Sequence, residues 1–287
     1  MSSVTAISVA YNSVAVLPGL VESMAPGLPM ILVDNGPDDG LRDWAKRRGI
    51  PVLVPGGNLG FGSGCNLGAA QTASDFVLFI NPDARLEPGA LDQLLQAAEL
   101  HPDATAFGPV LVNDAGQIRY KRNSYLLPRT RKPPRDPGLL PRSVPVLSGA
   151  VLLIRSVAFE TVGGFDPGIF LYFEDDDLSL RLRQSAGPLM LVPAARAHHV
   201  NGHSSPASPA LSRFKGYHWT RSRIYAGRKH GLRFAWGSGL WDAVSHCLSP
   251  KSWRNPEHRN EGIGRLHGAL TMLAKKPPAS HNQPRKH

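Results

Sequence analysis

Four consecutive acidic residues stand out in the stretch FLYFEDDDLSLRLR (170–183). Adjacent carboxylates repel one another, so a local arrangement must neutralise or separate them. Asp177 lies four residues before Arg181, the spacing at which an acid in the first turn of a helix pairs with a base. Glu174 and Asp175 follow an apolar run, and a poorly hydrated carboxylate can accept a proton near neutral pH. We therefore expect Asp177 to be structural and Glu174 or Asp175 to carry chemistry.

Two further acids end apolar runs that are typical of strands. Asp34 ends PMILVD, and Asp83 ends DFVLFINPD, in which Pro82 holds Asn81 and Asp83 two residues apart. Ligands of open α/β sheets bind beyond the carboxyl ends of the strands. Asp34 is also compatible with an ordinary turn or capping residue. Asn81 and Asp83 together suit a hard divalent cation that keeps water and phosphate oxygens as further ligands.

Three histidines, His198, His199 and His203, cluster after the last apolar run of the α/β part. An imidazole close to the strand-end acids would complete a divalent-metal site. Histidines on a loop are otherwise simply exposed. The sequence leaves open which of the three faces a site.

The glycine-rich stretch GGNLGFGSGCNLG (56–68) follows a strand-like run and opens a helical pattern. Gly60, Gly62 and Gly64 give the spacing GxGxG, whereas the dinucleotide fingerprint requires GxGxxG after the first strand. No Lys-Ser or Lys-Thr pair follows, which excludes a P-loop. We expect a backbone that packs closely against a nucleotide, without a dinucleotide fold.

The elements that position these residues alternate between strand and helix. Strands are predicted at 4–10, 29–34, 51–55 and 75–83, and helices at 14–24, 40–49, 65–73 and 88–102. Continuous apolar strands separated by helices indicate a parallel α/β sheet covered on both faces. Residues 113–145, with eight Lys or Arg and six Pro, are predicted to form a long basic loop. A strand and a short helix follow over 146–166, and another strand begins near 188.

Composition narrows the class of protein. The 287 residues can bury a sizeable core, and no apolar run approaches the roughly 20 residues of a membrane helix. The N-terminal sequence lacks the features of a signal peptide, and two cysteines offer no disulfide framework. We therefore expect a cytoplasmic protein, with peripheral membrane contact as a further option.

Charge is distributed unevenly along the chain. Residues 1–110 carry 5 Lys or Arg against 11 Asp or Glu, whereas residues from 211 onward carry 15 against 3. A basic C-terminal region suits an anionic partner. Interleaved aromatic residues indicate an ordered, amphipathic extension over 211–274, while 275–287 is expected to be a disordered tail. A nucleic-acid binder would carry its basic face on the core, yet residues 1–110 are net acidic.

Seven motifs in order resemble the family 2 glycosyltransferases, nearest to their bacterial rhamnosyltransferase-like branch. The motifs are VAYNS, LVDNGPDDG, GGNLGFGSGCNLGAA, FINPDA, LSGAVLLIRSVAFETVGGFD, YFEDDDLSLRLR and PAARAHHVNGHSS. The resemblance covers most of residues 4–205. It implies a GT-A fold over 1–210, with a basic, mainly helical C-terminal extension. It also implies a nucleotide-diphosphate sugar, a divalent cation (Mn²⁺ or Mg²⁺) and inversion of the anomeric centre.

The resemblance also implies roles for single residues. The nucleotide-sugar pocket would comprise Tyr11, Asn12, Asp34, Asn58, Gly60, Phe61, Asn66, Asn81 and Asp83. Asp83 and His199 would hold the metal or diphosphate, and Asn81 stands where many relatives have an acid. Asp175 matches the catalytic base and Glu174 would support it. Asp177 and Arg181 would brace the helix.

The rhamnosyltransferase branch suggests dTDP-L-rhamnose as donor and a cell-envelope glycan or polyprenyl-diphosphate-linked acceptor. The basic loop and C-terminal region would suit an anionic lipid surface or the diphosphate of the carrier. The alternatives are a UDP- or GDP-sugar donor and a non-catalytic protein that binds sugar nucleotides. A nucleotidyltransferase is disfavoured, because AYNSVAVLPG lacks a glycine-rich signature with lysine after the first strand. The oligomeric state is left open.

Overall fold

A computed structural model describes residues 2–37, 39–128, 132–199 and 208–273. The predicted tail at 275–287, His203 and part of the basic loop lie outside these ranges. The described residues form two compact units. One contains the residues up to Asp166 and those from Glu174 to His199, and the other contains Pro167–Phe173 and residues 208–273.

The first unit contains all of the strands and six helices among the described residues. The strands are β1 (Val4–Ala10), β2 (Met30–Asp34), β3 (Val52–Leu53), β4 (Phe76–Ile80), β5 (Ala84–Leu86), β6 (Ala106–Val112), β7 (Ile118–Arg119), β8 (Arg142–Val144), β9 (Val151–Arg155) and β10 (Leu189–His199). The helices are α1 (Leu17–Glu22), α2 (Leu41–Lys46), α3 (Phe61–Ala69), α4 (Ala90–Leu100), α5 (Ser156–Thr161) and α6 (Glu174–Ser185). The predicted α/β class is confirmed.

One sheet runs through this unit in the order β3-β2-β1-β4-β9-β6-β10-β5, with β7 beside β6 and β8 beside β10. Strands β3, β2, β1 and β4 are mutually parallel. Beyond β4 the sheet is mixed, because β9 runs antiparallel to both β4 and β6. Apolar clusters lie on both faces of the sheet, so its strands are buried from both sides.

The parallel part of the sheet determines where the polar residues meet. Strand β1 ends at Ala10, β2 at Asp34 and β4 at Ile80. The carboxyl ends of parallel strands lie at the same edge, so the segments that follow these strands converge there. Tyr11, Asn35 and Asn81 are the first residues beyond the three strands.

Several boundaries differ from the sequence-based expectation. The helix predicted at 65–73 begins at Phe61, inside the glycine-rich stretch. Strand β6 was missed, because AFGPVLV contains a glycine and a proline, which are unfavourable inside a strand. The predicted loop 113–145 contains the short strands β7 and β8, which pair with β6 and β10.

The second unit is helical, as the sequence predicted for the C-terminal extension. Its helices are α7 (Pro209–Lys229), α8 (Ala235–Leu248), α9 (Pro250–Arg254) and α10 (Pro256–Thr271). Helices α7 and α10 pack with their backbones close together, because a Cβ at Gly216, Gly264 or Gly268 would collide with a carbonyl oxygen of the other helix. Within the described ranges, every helix is too short or too polar to cross a bilayer.

Candidate active site

The ends of β1 and β2 carry three of the residues predicted to bind nucleotide. Tyr11 and Asn12 are exposed, and Asn12 has a left-handed backbone with φ of 51°. Asp34 is buried: its Oδ2 accepts a hydrogen bond from Arg42 Nε at 2.8 Å, and its Oδ1 accepts one from the Gly36 N–H at 3.3 Å. Its predicted nucleoside contact stays a prediction.

Asn35, which the sequence analysis did not single out, connects β2 to the glycine-rich stretch. Its Nδ2 donates to the Gly60 carbonyl at 2.8 Å, and its Oδ1 accepts from the Leu59 N–H at 3.3 Å. The side chain is buried. Its place directly after the strand-end acid was the available signal, and its partner lies 25 residues away.

Gly60 and Phe61 form the start of α3 at the same edge. Gly60 precedes the helix with φ of 82°, a left-handed conformation that favours glycine, and its N–H donates to Asn58 Oδ1 at 2.9 Å. Asn58 is exposed and Phe61 is half-buried. The structure thus places Asn58, Gly60 and Phe61 together, as the resemblance implies.

The later glycines of the stretch have a packing role. A Cβ at Gly64 would lie 2.9 Å from Val9, and one at Gly62 would lie 2.8 Å from Phe165. Helix α3 therefore packs against β1 at a distance that a larger side chain would prevent. Asn66 donates to the Phe165 carbonyl and accepts from the Phe165 N–H, both at 2.8 Å, so its amide is engaged in holding that segment.

A second part of the site is the turn formed by residues 81–83, which we call the NPD turn. It lies beside strand β10. Antiparallel pairing of β5 with β10 sets His199 opposite Ala84, immediately after the turn. His199 Nε2 lies 3.3 Å from Asp83 Oδ1 and 3.3 Å from Asn81 Nδ2. The side chains of His199 and Asp83 are largely buried.

The neighbouring histidine points elsewhere. His198 Nε2 lies 3.0 Å from Glu87 Oε1, and its side chain is half exposed. Adjacent residues of a strand face opposite sides of the sheet, which explains why only one of this pair meets Asp83. Of the two described histidines, His199 is the one that faces the candidate site.

The polar groups at this turn suit a divalent cation that also binds ligands from outside the protein. One imidazole nitrogen cannot donate to Asp83 and accept from Asn81 at the same time, so only one of these two contacts can be a hydrogen bond. A carboxylate and an imidazole suit Mn²⁺ or Mg²⁺ when phosphate oxygens and water supply the remaining ligands. Within the described ranges, no three His, Cys, Asp or Glu side chains are grouped to hold a metal alone.

The four consecutive acids form the first turn of helix α6. The last of them forms an ion pair within the helix. Asp177 is fully buried and its Oδ2 accepts from Arg181 Nε at 2.8 Å and lies 2.7 Å from Nη2. Arg181 Nη1 also donates to the carbonyls of Val162 and Gly164, at 2.8 and 2.7 Å. Asp177 and Arg181 therefore fasten the helix to the turn after α5.

Asp175 has both carboxylate oxygens engaged. Oδ2 accepts from the Gly149 N–H at 2.9 Å, and Oδ1 accepts from Lys121 Nζ at 2.8 Å. Lys121 also lies 3.0 Å from Asp176 Oδ1. A methyl group at position 149 would lie 3.2 Å from Asp175 Cβ, so only glycine allows this approach without displacement.

Glu174 and Asp176 have perturbed acidities. Burial, reinforced by the negative charge of Asp175, raises the pKa of Glu174 to about 8. Burial and the same charge raise the pKa of Asp176 to about 6, against the opposing effect of Lys121. Glu174 Oε2 is inaccessible to solvent and has no hydrogen-bond partner among the described residues. At neutral pH a protonated Glu174 thus lies close to carboxylates that share one ammonium group.

Lys121 is the functional candidate that sequence reasoning missed. Burial opposes its charge, but attraction to Asp175 and Asp176 outweighs this and raises the pKa of Lys121 above its ordinary value. It is one of eight basic residues in the 113–145 segment, and it lies 54 residues from Asp175. No local spacing distinguishes it from the others.

A short segment before β9 contacts both parts of the site. The Asn81 N–H donates to the Ala150 carbonyl at 2.9 Å, while the adjacent Gly149 N–H donates to Asp175. Phe61 Cε1 lies 3.6 Å from the position that a Cβ of Gly149 would occupy. The NPD turn, the start of α3 and the acidic start of α6 thus meet around residues 149–150.

Comparison with known proteins agrees with this geometry. Residues 5–163 match the family described as Glycosyl transferase family 2. The chain is 34% identical over 233 residues to the N-acetylglucosaminyl-diphospho-decaprenol L-rhamnosyltransferase of Mycobacterium tuberculosis, covering 70% of this chain and 76% of the relative. It is 28% identical over 222 residues to rhamnosyltransferase WbbL of Escherichia coli, covering 69% and 80%.

Among solved structures, that of GalNAc-T7 with UDP, GalNAc and Mn²⁺ superposes with a TM-score of 0.63 at 14% identity. The match covers 96% of this chain and 57% of that protein, and it bears on the fold alone. The predicted GT-A fold and the resemblance stated from the motifs are both confirmed. The chain belongs to glycosyl transferase family 2.

Proposed function

We propose that this protein is an inverting glycosyltransferase that moves L-rhamnose from dTDP-L-rhamnose to a hydroxyl group of a cell-envelope acceptor. A glycan carried on a polyprenyl diphosphate is the acceptor class that we favour. The names of the mycobacterial and Escherichia coli relatives both support the sugar, and the mycobacterial name supports the lipid-linked acceptor. The observation that carries the proposal is the position of Asp175, held by Gly149 and Lys121 beside the NPD turn.

Asp175 is the proposed general base. Its side chain is 16% exposed, against 7% for that of Asp176. Its oxygens accept hydrogen bonds from the Lys121 ammonium and the Gly149 N–H, which hold the carboxylate in position. A base must take the proton of the acceptor hydroxyl as its oxygen attacks the anomeric carbon. Glu174, protonated at neutral pH, adds no competing charge and has the supporting role.

The separation of tasks between the two parts of the site supports inversion. In an inverting transfer, the acceptor oxygen bonds to the anomeric carbon while the bond to the diphosphate breaks on the opposite face. One carboxylate that removes a proton is sufficient for this step. Asp175 would serve the acceptor side, and the NPD turn would serve the leaving diphosphate.

Asp83 and His199 are the proposed residues for a divalent cation, with Asn81 beside them. When bound, Mn²⁺ or Mg²⁺ would offset the negative charge that develops on the leaving diphosphate. Asp83 also positions the donor, because it lies in the turn that contacts the segment beside Asp175. His199 orients Asp83 through its 3.3 Å contact.

We propose the remaining contacts to the donor from the positions of the residues in the fold. These residues follow the carboxyl ends of β1 and β2 or open α3, and they comprise Tyr11, Asn12, Asp34, Asn58, Gly60 and Phe61. Asn66 is a weaker candidate, since Phe165 engages its amide. We further assign residues 1–210 to the transferase domain and 211–274 to an extension that contacts the cytoplasmic face of a membrane.

The test is a transfer assay with purified protein. dTDP-L-rhamnose and a panel of UDP- and GDP-sugars would be offered with an N-acetylglucosaminyl-diphosphate lipid, with and without Mn²⁺ or Mg²⁺. We expect a mass increase of one deoxyhexose from dTDP-L-rhamnose only, with inverted anomeric configuration by NMR. Transfer from a UDP- or GDP-sugar alone would discard the rhamnose assignment, and absence of any turnover would favour a non-catalytic binding protein.

A further inference from the structure

Helix α8 exposes a stripe of large apolar side chains. Phe234, Trp241 and Leu248 recur every seven residues and are 82%, 73% and 70% exposed. Residues seven apart lie on one face of a helix, so the three side chains form one line. Trp253, in the next helix α9, is a further exposed aromatic side chain, at 80%. We call these four residues the α8–α9 face.

This face is not needed for folding, because α8 packs through its other side. Ala235, Gly239 and Ala243 are buried, and Trp236 Nε1 donates to the Ala269 carbonyl at 2.9 Å. A Cβ at Gly239 would lie 2.6 Å from Ile224, so that side is closely packed already. Isolated exposed apolar residues are ordinary, but two tryptophans, a phenylalanine and a leucine in sequence on consecutive helices indicate a binding surface.

The charge around the face is strongly positive. Residues 228–254 contain five Lys or Arg and a single acid, Asp242. That acid is already paired with Arg265 at 2.6 Å. Arg233, Lys251 and Arg254 are exposed beside the aromatic residues. Cationic and aromatic side chains combined in this way suit the boundary between anionic headgroups and acyl chains.

We propose that the α8–α9 face docks onto an anionic lipid bilayer, with its aromatic side chains inserted at the headgroup level. Two other occupants fit less well. Residues 274–287 contain no large apolar side chain, so that segment cannot cover the stripe. A second copy of the chain in a two-fold arrangement would bring the same cationic residues against each other, which disfavours association.

This inference deepens the membrane contact included in the proposed function, and a binding assay tests it separately from catalysis. Full-length protein would be sedimented with vesicles of phosphatidylcholine alone or mixed with phosphatidylglycerol. We expect binding only to the mixed vesicles. The double variant Trp241→Ser/Trp253→Ser should bind roughly tenfold more weakly or worse, because it removes two of the aromatic side chains proposed to insert into the bilayer. Lys251→Gln/Arg254→Gln should bind about tenfold more weakly and lose most of its salt dependence.

Matched controls come from the first unit. Leu100→Ser removes an exposed leucine of α4, and Lys46→Gln/Arg47→Gln removes exposed charges at α2. Both controls should bind as wild type does. All variants should turn over a water-soluble acceptor analogue at the wild-type rate, so loss of lipid binding is distinguishable from loss of catalysis. Equal binding by the tryptophan variant, or a wild-type dimer that this variant converts to a monomer, would overturn the proposal.

Discussion

Two acidic regions of this protein lie beside the same segment, Gly149 and Ala150. They differ in the groups that surround their carboxylates. At the start of α6, Asp175 and Asp176 both pair with Lys121, and burial and the charge of Asp175 raise the pKa of the neighbouring Glu174. At the NPD turn, Asp83 has an imidazole as its neighbour. Crowding of carboxylates favours protonated forms in the first region, whereas the second groups a carboxylate, an amide and an imidazole, which are the kinds of group that bind divalent cations.

Carboxylates therefore have different chemistry in the two regions, because their neighbours differ. A carboxylate among other carboxylates is suited to moving a proton, because small changes in charge alter its neighbours' protonation. A carboxylate beside an imidazole and an amide is suited to binding a metal or holding a diphosphate. We therefore assign proton transfer to the α6 region and donor binding to the NPD turn.

The largest expected effect is that of Asp175→Asn. The amide keeps the shape of the side chain but cannot take the acceptor proton, so kcat should fall by about 10³-fold. The KM for the donor should change less than threefold. Glu160→Gln, which alters an exposed acid of α5, is the matched control and should be fully active. Steady-state transfer kinetics would measure both parameters.

Asp83→Ala should produce the second largest effect, of a different kind. Removal of the carboxylate from the NPD turn should lower kcat/KM by about 10²-fold and weaken the dependence of the rate on Mn²⁺. Metal titrations of the transfer rate would reveal this. An Asp83→Ala enzyme with an unchanged requirement for metal would contradict the assignment of metal binding to the NPD turn.

The adjacent histidines provide an internal control for the NPD turn. His199→Ala should weaken metal-dependent transfer by about tenfold or more, because it removes a proposed ligand of the cation together with the group that orients Asp83. His198→Ala should have almost none, since this side chain lies against Glu87. Parallel assays of the two variants would decide the matter, and equal losses would contradict the assignment of His199.

Lys121→Met sharpens the description of the α6 region. Lys121 lowers the pKa values of Glu174 and Asp176, so its removal should raise them. Because protonation of Glu174 and Asp176 changes the charge beside the proposed base, the acid limb of the kcat/KM profile should move to higher pH. Lys121→Arg should restore most of the wild-type profile. A Met variant with reduced activity but an unshifted profile would indicate that Lys121 is merely structural.

The smallest effect concerns stability. The pKa of Glu174 is raised from 4.5 to about 8 in the folded protein, so the native state binds a proton that the unfolded chain has released. This contribution is complete below about pH 4.5 and is lost as the pH rises to about 8. Relative to Glu174→Gln, the wild-type free energy of unfolding should therefore fall as the pH rises through this interval. Urea denaturation at several pH values would detect it.

The sequence predicted those features that depend on local pattern. Continuous apolar runs located β1, β2 and β4, and the positions of Asp34 and Asp83 followed because each ends or follows such a run. The spacing of Asp177 and Arg181 gave a contact that helical geometry enforces. These features need only the period of a helix or strand, which the residues themselves display.

Features that depend on contacts between residues far apart in the chain could not be predicted from the sequence. Lys121 meets Asp175 across 54 residues, and Asn35 meets Gly60 across 25. Strand β6 contains Pro109 yet lies inside the sheet, where tertiary packing overrides the local preference of the residue. The early start of α3 at Phe61 depends on glycines that pack against Val9 and Phe165.

The most direct test of the division between the two regions is calorimetric titration of dTDP-L-rhamnose into three proteins, with and without Mn²⁺. Wild type and Asp175→Asn should bind the donor with equal affinity and equal enhancement by the metal. Asp83→Ala should lose that enhancement while keeping the fold. Metal-enhanced binding that survives in Asp83→Ala, or that disappears in Asp175→Asn, would show that the acids of α6 rather than those of the NPD turn hold the donor.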